Sequence, residues 1–194
     1  APAKEGEKFA RKNGALVSMI KGKTAAFALF NIQEELINFS DTILPVLGSV
    51  CDDKLVESLL RKEKVDTVYH AAAYKHVPLV EANPVAGIFN NVFGTKKILD
   101  ASIREGVSSF TLISSDKAVR PTNIMGASKR ISEILCQNAS IKESEIIISS
   151  VRFGNVIGSS GSVIPKFREQ IRKGGPVTVT HPEVTRFFMG IHES

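Results

Sequence analysis

Asp116 and Lys117 place an acid beside an amine, with Ser114 and Ser115 just before them and Met125 and Lys129 just after, all within sixteen residues. An adjoining acid and base can move protons at neighbouring atoms of a bound ligand. The run from Phe110 to Ser115 is a short apolar stretch that turns polar at its carboxyl end, as a buried strand does near a site. In open α/β sheets ligands sit at that end of the strands, so Asp116 and Lys117 are expected to project into a crevice. Past Pro121, residues 123–138 read as a helix on which Met125 and Lys129, four apart, share a face. That face should point back toward the acid and amine.

The elements that must hold these groups alternate from residue 43 onward between strand-like and helix-like segments, the pattern of a doubly wound α/β parallel sheet with crossover helices. Strands are expected at 43–47, 65–73, 110–115, 145–153 and 177–180. Helices are expected at 52–64, about 84–105, 123–138 and 162–173, the second with Pro84 in its first turn and Gly106 at its end. No repeat or low-complexity tract interrupts the series.

The first forty residues behave differently. Residues 1–14 are mixed in charge and aperiodic, 16–20 could form a short strand, and 25–39 carry helical spacing at Phe27, Phe30, Leu36 and Ile37. A dinucleotide-binding domain should open with a strand, a glycine-rich turn and a helix, whose amides hold the pyrophosphate. Gly6, Gly14 and Gly22 are too far apart to make that turn. Gly154, Gly158 and Gly161 follow a strand and precede a helix, but with three and then two residues between them, not one and then two. They read as a flexible loop that lets backbone approach a ligand.

At 194 residues, 43% hydrophobic and 23% charged, the chain has the make-up of a globular domain with a sizeable core. The net charge of +5 is spread, as in Arg61-Lys62-Glu63-Lys64, without a basic stripe interleaved with aromatics, so no nucleic-acid partner is expected. No apolar run is long enough to span a bilayer and no leader is recognisable, so the expectation is a cytoplasmic chain without a membrane span. Cys51 and Cys136 lack metal-ligand spacing and read as two reduced thiols, and no metal site is expected.

Five motifs in order carry a resemblance: His70-Ala-Ala-Ala-Tyr-Lys-His-Val-Pro78, Asn91-Val-Phe-Gly-Thr95, the run from Ser114 to Lys129, Arg152-Phe-Gly-Asn-Val-Ile-Gly158 and Thr185-Arg-Phe-Phe-Met189. Over about residues 25–194 the chain resembles the polysaccharide-biosynthesis family of extended short-chain dehydrogenase/reductases. The likeness is greatest to UDP-N-acetylglucosamine 4,6-dehydratases of the membrane-anchored type, which carry methionine where most relatives have the active-site tyrosine. The resemblance implies a Rossmann-like fold, an NAD or NADP cofactor, a UDP-sugar substrate and a homo-oligomer built through helices like 84–105 and 124–140. It also implies a bacterial, cytoplasmic enzyme, membrane-associated in full-length relatives.

The implied reaction oxidises the sugar at carbon 4, eliminates water across carbons 5 and 6, and returns the hydride to carbon 6. On this resemblance Asp116 protonates the leaving hydroxyl and must be held protonated at that step by a partly buried setting, while Lys117 is the base at carbon 5, its amine neutral through desolvation and the nearby Lys129. Lys129 binds the nicotinamide ribose, and Ser115 stands beside the sugar. Met125 cannot move a proton, so deprotonation at carbon 4 falls to a neighbour. Ala71, Ala72 and Ala73 let the cofactor pass close to backbone. Asn155 binds substrate, Ser159 and Ser162 belong to the loop over UDP, and Arg186 is available to the diphosphate. Asn91 and Thr95 read as helix-packing residues, His70 and His76 as structural.

Where the pattern departs, it does so on the cofactor half and at the tail. The glycine-rich turn is absent, Lys23-Thr24-Ala25-Ala26 has no acid for a ribose, Ser49 replaces the usual aspartate, and the sequence ends five residues after Met189. The expected organisation is an atypical segment at 1–24, a partial dinucleotide-binding domain at 25–153 with its first βα unit degenerate or missing, and the start of a truncated substrate-binding region at 154–194. Two alternatives to a dehydratase stay open: a truncated, non-catalytic module that binds a nucleotide sugar or packs against a partner, and an epimerase or reductase of the same fold. The Asp116-Lys117 pair discriminates, because an epimerase has no water to eliminate.

Overall fold

A computed structural model describes residues 30, 32–34, 36, 43–157, 163–179, 181–183 and 185–193. The chain divides into two compact units, Ala1–Val151 and Arg152–Ser194. The expectations for residues 1–24, for the strand at 16–20 and for most of the helix at 25–39 lie outside the described residues.

In the first unit, α1 (Asp53–Lys62) starts where the Asp52 side chain accepts a hydrogen bond from the Leu55 amide, and Val56 and Leu60 point into the core. The strand β1 (Thr67–His70) follows, then α2 (Val77–Ala82) and α3 (Pro84–Ile88). A π-helical turn (Phe89–Phe93) joins α3 to α4 (Gly94–Arg104). Next come β2 (Ser109–Ser115), a short 3-10 turn (Asp116–Ala118), α5 (Ile124–Lys142) and β3 (Ile147–Phe153), whose last two residues are counted with the second unit.

β1 pairs with β2 in parallel, Val68 opposite Phe110 and His70 opposite Leu112, and the sheet order is β1-β2-β3. This consecutive order is that of one half of a doubly wound Rossmann-like sheet. Val68, Phe110 and Leu112 alternate onto the face covered by α1, α4 and α5, where Val56, Leu60, Leu99, Val107, Cys136 and Ile146 complete the core. Tyr69 and Thr111 alternate onto the other face, as does Ser149, whose hydroxyl meets that of Thr111 at 2.9 Å.

Several sequence expectations needed correction. Residues 43–47 form no strand, because Pro45 sits in the middle of the run and offers no amide to a ladder. Residues 177–179 form none either; the Thr178 amide donates instead to the Gln170 side chain. The helix expected at 84–105 contains the π turn, α2 was not foreseen, and α5 runs four residues past Asn138. Neither Cys51 nor Cys136 is in a disulfide in this structure.

The second unit holds α6 (Val163–Arg172), closed by Gly174 and Gly175 at positive φ, and a two-residue parallel pair of β4 (Asn155–Val156) with β5 (Phe188–Met189). Among the described residues no helix is long and apolar enough to cross a membrane, and no cluster of side chains could hold a metal ion.

Candidate active site

β2 ends at Ser115, and the chain folds at once into the 3-10 turn that carries Asp116 and Lys117. Ser115 caps this turn: its hydroxyl accepts the Lys117 amide at 3.3 Å and donates to Asp116 Oδ1 at 3.0 Å. Lys117 Nζ donates to the same Oδ1 at 3.0 Å. The resulting ion pair is partly open, with the Lys117 side chain 28% and that of Asp116 42% exposed.

Partial burial pushes the Asp116 carboxyl up, but the hydrogen bonds from Lys117 and Ser115 and the Lys117 charge together outweigh it and hold the group below its ordinary range. Asp116 is therefore a carboxylate in this structure, and the protonated form expected at the elimination step needs more than partial burial. Two donors on one oxygen outweigh the desolvation.

α5 supplies the other wall. Asn123 caps it by accepting the Gly126 amide at 2.8 Å. Gly126 lets the helix approach the turn, since a Cβ there would lie 2.4 Å from the Lys117 carbonyl oxygen. Met125 and Lys129 follow on the buried face, 3% and 7% exposed. The Lys129 amine donates to the Ile113 carbonyl at 2.6 Å, beside the tip of β2. Burial pulls its pKa down to about 8, against a smaller opposing pull from Glu133. The structure thus brings Ser115, Asp116, Lys117 and Lys129 to one strand end, with Met125 buried on the same helix as Lys129.

Sequence reasoning missed Glu133, one turn beyond Lys129. It is almost completely buried, accepts the Ser114 hydroxyl at 2.6 Å on Oε1 and pairs with Arg130 at 2.9 Å on Oε2. An acid four residues after a lysine on one helix face was the available signal.

Ala71, Ala72 and Ala73 follow β1 as a loop fixed from below. Asn91, in the π turn, accepts the Tyr74 amide at 2.7 Å and donates to the Tyr74 carbonyl at 3.0 Å and to Ser128 Oγ at 2.9 Å. Its own carbonyl accepts the hydroxyls of Thr95 at 2.6 Å and Ser132 at 2.9 Å. Because the Thr95 hydrogen is committed there, the 3.0 Å contact with His70 Nε2 makes that nitrogen the donor. Burial drives the His70 pKa down to about 3, with the Lys129 charge adding to it, so the ring is neutral. A cavity of about 450 Å³ opens beside this loop, lined by Ala73, Tyr74, Lys75, His76 and neighbouring residues of α2 and α3, but not by Asp116 or Lys117.

Asn155 and Arg186 belong to the second unit. The Asn155 amide and side-chain nitrogen both donate to the Phe187 carbonyl, at 3.2 and 3.0 Å, beside Arg186, whose guanidinium bonds the Thr185 carbonyl at 2.9 Å. Ser159 and Ser162 lie outside the described residues.

A family model described as polysaccharide biosynthesis protein matches residues 9–194. The chain belongs to this family. Similar curated proteins include "Capsular polysaccharide biosynthesis protein CapD" of Staphylococcus aureus, 47% identical over 86% of this chain and 28% of that protein. A "UDP-glucose 4-epimerase" of Rickettsia canadensis is 41% identical over 76% of this chain and 43% of its own length. Among solved structures, "Pen from Bacillus thuringiensis" superposes with a TM-score of 0.83 at 36% identity, over 92% of this chain and 54% of that one. A double mutant of the dTDP-glucose 4,6-dehydratase DesIV from Streptomyces venezuelae, with NAD bound, gives the same TM-score at 18% identity, over 97% of this chain and 62% of that one, and so shows the fold alone. The chain spans less than half the length of both curated family relatives named here.

Proposed function

We propose that this chain is the catalytic part of a nucleotide-sugar 4,6-dehydratase of the UDP-N-acetylglucosamine class, serving bacterial polysaccharide assembly. The observation that carries this reading is the 3.0 Å contact between Asp116 and Lys117 at the carboxyl tip of β2. As an ion pair the two are one proton transfer away from an acid and a base side by side. A sugar settling over them strips water from both charges, which favours the neutral pair. Lys117 then takes the proton at carbon 5, Asp116 gives one to the departing carbon 6 hydroxyl, and the elimination restores the ion pair. Atoms and charge balance without a further acid.

The residues at the strand tips fit the nicotinamide end of a dinucleotide: Ala71, Ala72 and Ala73 present only methyl groups, and the Lys129 amine lies beside the end of β2. NAD or NADP, when bound, supplies the oxidation at carbon 4. Lys129 then orients the ribose, Met125 fills the space beneath the sugar, and the proton at the carbon 4 hydroxyl falls to a neighbour of Met125. In the second unit Asn155, Ser159, Ser162 and Arg186 are assigned to the sugar nucleotide, Arg186 to its diphosphate. We place the reaction in the cytoplasm, where nucleotide sugars are made.

The test is incubation with UDP-N-acetylglucosamine and NAD, with mass spectrometry of the product. A 4-keto-6-deoxy sugar nucleotide, lighter by one water, is expected; a product of unchanged mass would replace this reading with the second one. That second reading, a 4-epimerase, is favoured by the identity to the Rickettsia canadensis protein. A chain that binds UDP yet turns over nothing would leave only a binding module.

A further inference from the structure

Glu133 is a charged group in the protein interior that the proposed chemistry does not use. Burying a carboxylate is costly unless it is paired and hydrogen-bonded, and here both oxygens are engaged: Oε1 by the Ser114 hydroxyl at 2.6 Å, Oε2 by the Arg130 guanidinium at 2.9 Å. Its location gives the expense a use. Ser114 follows Ile113, whose carbonyl holds the Lys129 amine at 2.6 Å, so two successive residues of β2 are gripped by two side chains one helical turn apart on α5. We propose that Glu133 is a positioning residue for Lys129, its clamped carboxylate keeping that amine charged and seated on the Ile113 carbonyl beside the acid and base.

The other charged groups around Lys129 do not offer this. His70, at the tip of β1, is neutral and pushes the ammonium toward losing its proton if it ever charges. On the turn after β2, Asp116 is committed to Lys117. On α2, Glu81 accepts the Ile124 amide at the start of α5. On α4, Lys96 pairs with Asp100, Lys97 with Asp53 of α1 and Arg104 with Glu57 of α1. Arg130 and Cys136 share α5 with Lys129, and the Cys136 thiol is pushed up to about 11 by burial, so it stays uncharged. Glu133 is the group that opposes the desolvation of Lys129.

The consequence for turnover rests on the dehydratase reading; the effect on Lys129 does not. The experiment is therefore a titration of Lys129 by NMR of its labelled side chain, assigned by loss of its signal in Lys129→Arg, run beside a pH profile of product formation. Glu133→Gln keeps the size and the acceptor for Ser114 and removes only the charge. It is expected to lower the Lys129 midpoint by about one pH unit and to move the basic limb of the activity profile down with it. An unchanged midpoint overturns the proposal. Should Glu133→Gln fail to fold, Arg130→Gln on the solvent side decides instead: with its counter-charge gone, Glu133 should draw the Lys129 midpoint upward, and a midpoint that stays or falls overturns the inference. A midpoint that moves in a chain with no turnover upholds the role of Glu133 and counts against the dehydratase reading alone.

Discussion

Lys117 donates to Asp116 along one hydrogen bond, and on the dehydratase reading the acid and the amine exchange roles through that contact. Asp116→Asn keeps the shape and loses the acid; product formation should fall by about a hundredfold or more, while calorimetric affinity for the sugar nucleotide changes little. A variant that dehydrates normally would remove Asp116 from its role. His70 makes a separate prediction. Its pKa is about 3 folded, against an ordinary value of 6.5. Above pH 6.5 both states are neutral and nothing is lost; below it the unfolded chain takes up a proton that the folded chain refuses, so stability declines from pH 6.5 toward 3. Urea unfolding across that window should show the decline, and His70→Asn should flatten it. Lys129 acts in the same sense at higher pH, its depressed pKa making stability rise between about pH 8 and its ordinary 10.5.

The meeting of α5 with the turn after β2 is what converts these residues into a site. Gly126→Ala would drive a methyl group into the Lys117 carbonyl, a backbone atom with little room to yield. We expect a loss of about 1–3 kcal/mol in denaturant unfolding, with turnover falling further than the stability loss explains. Asn123→Ala removes the cap of the same helix and should cost about 1 kcal/mol. Most of this assembly was legible in the sequence. The apolar run into Ser115 and the helical spacing of Met125 and Lys129 follow from local periodicity, which survives folding. Other parts were not. The strand expected at 43–47 rested on apolar content and gave too little weight to Pro45. The π turn is invisible to a 3.6-residue period because regular helix flanks it on both sides. The burial of Glu133 was missed, since nothing local says that Ser114, nineteen positions earlier, will cover it. The ion-paired state of Asp116 was out of reach for the same reason: burial can be guessed from a strand end, but two donors on one oxygen cannot.

At the scale of the molecule, the helices beside the site leave apolar side chains in the open: Val85, Phe89 and Phe93 on one segment, Ile131 and Ile134 on another. We expect these faces to join copies of the chain. Sedimentation should show a concentration-dependent dimer that Phe89→Glu disperses; a monomer at all concentrations would refute it. The chain also carries its own optical probe. It has no tryptophan and two tyrosines, Tyr69 within β1 and Tyr74 in the loop beyond it, pinned by Asn91. Near-ultraviolet emission excited in this protein therefore originates within a few residues of the alanines assigned to the nicotinamide, and occupancy of that loop can be followed by intrinsic fluorescence without any attached label.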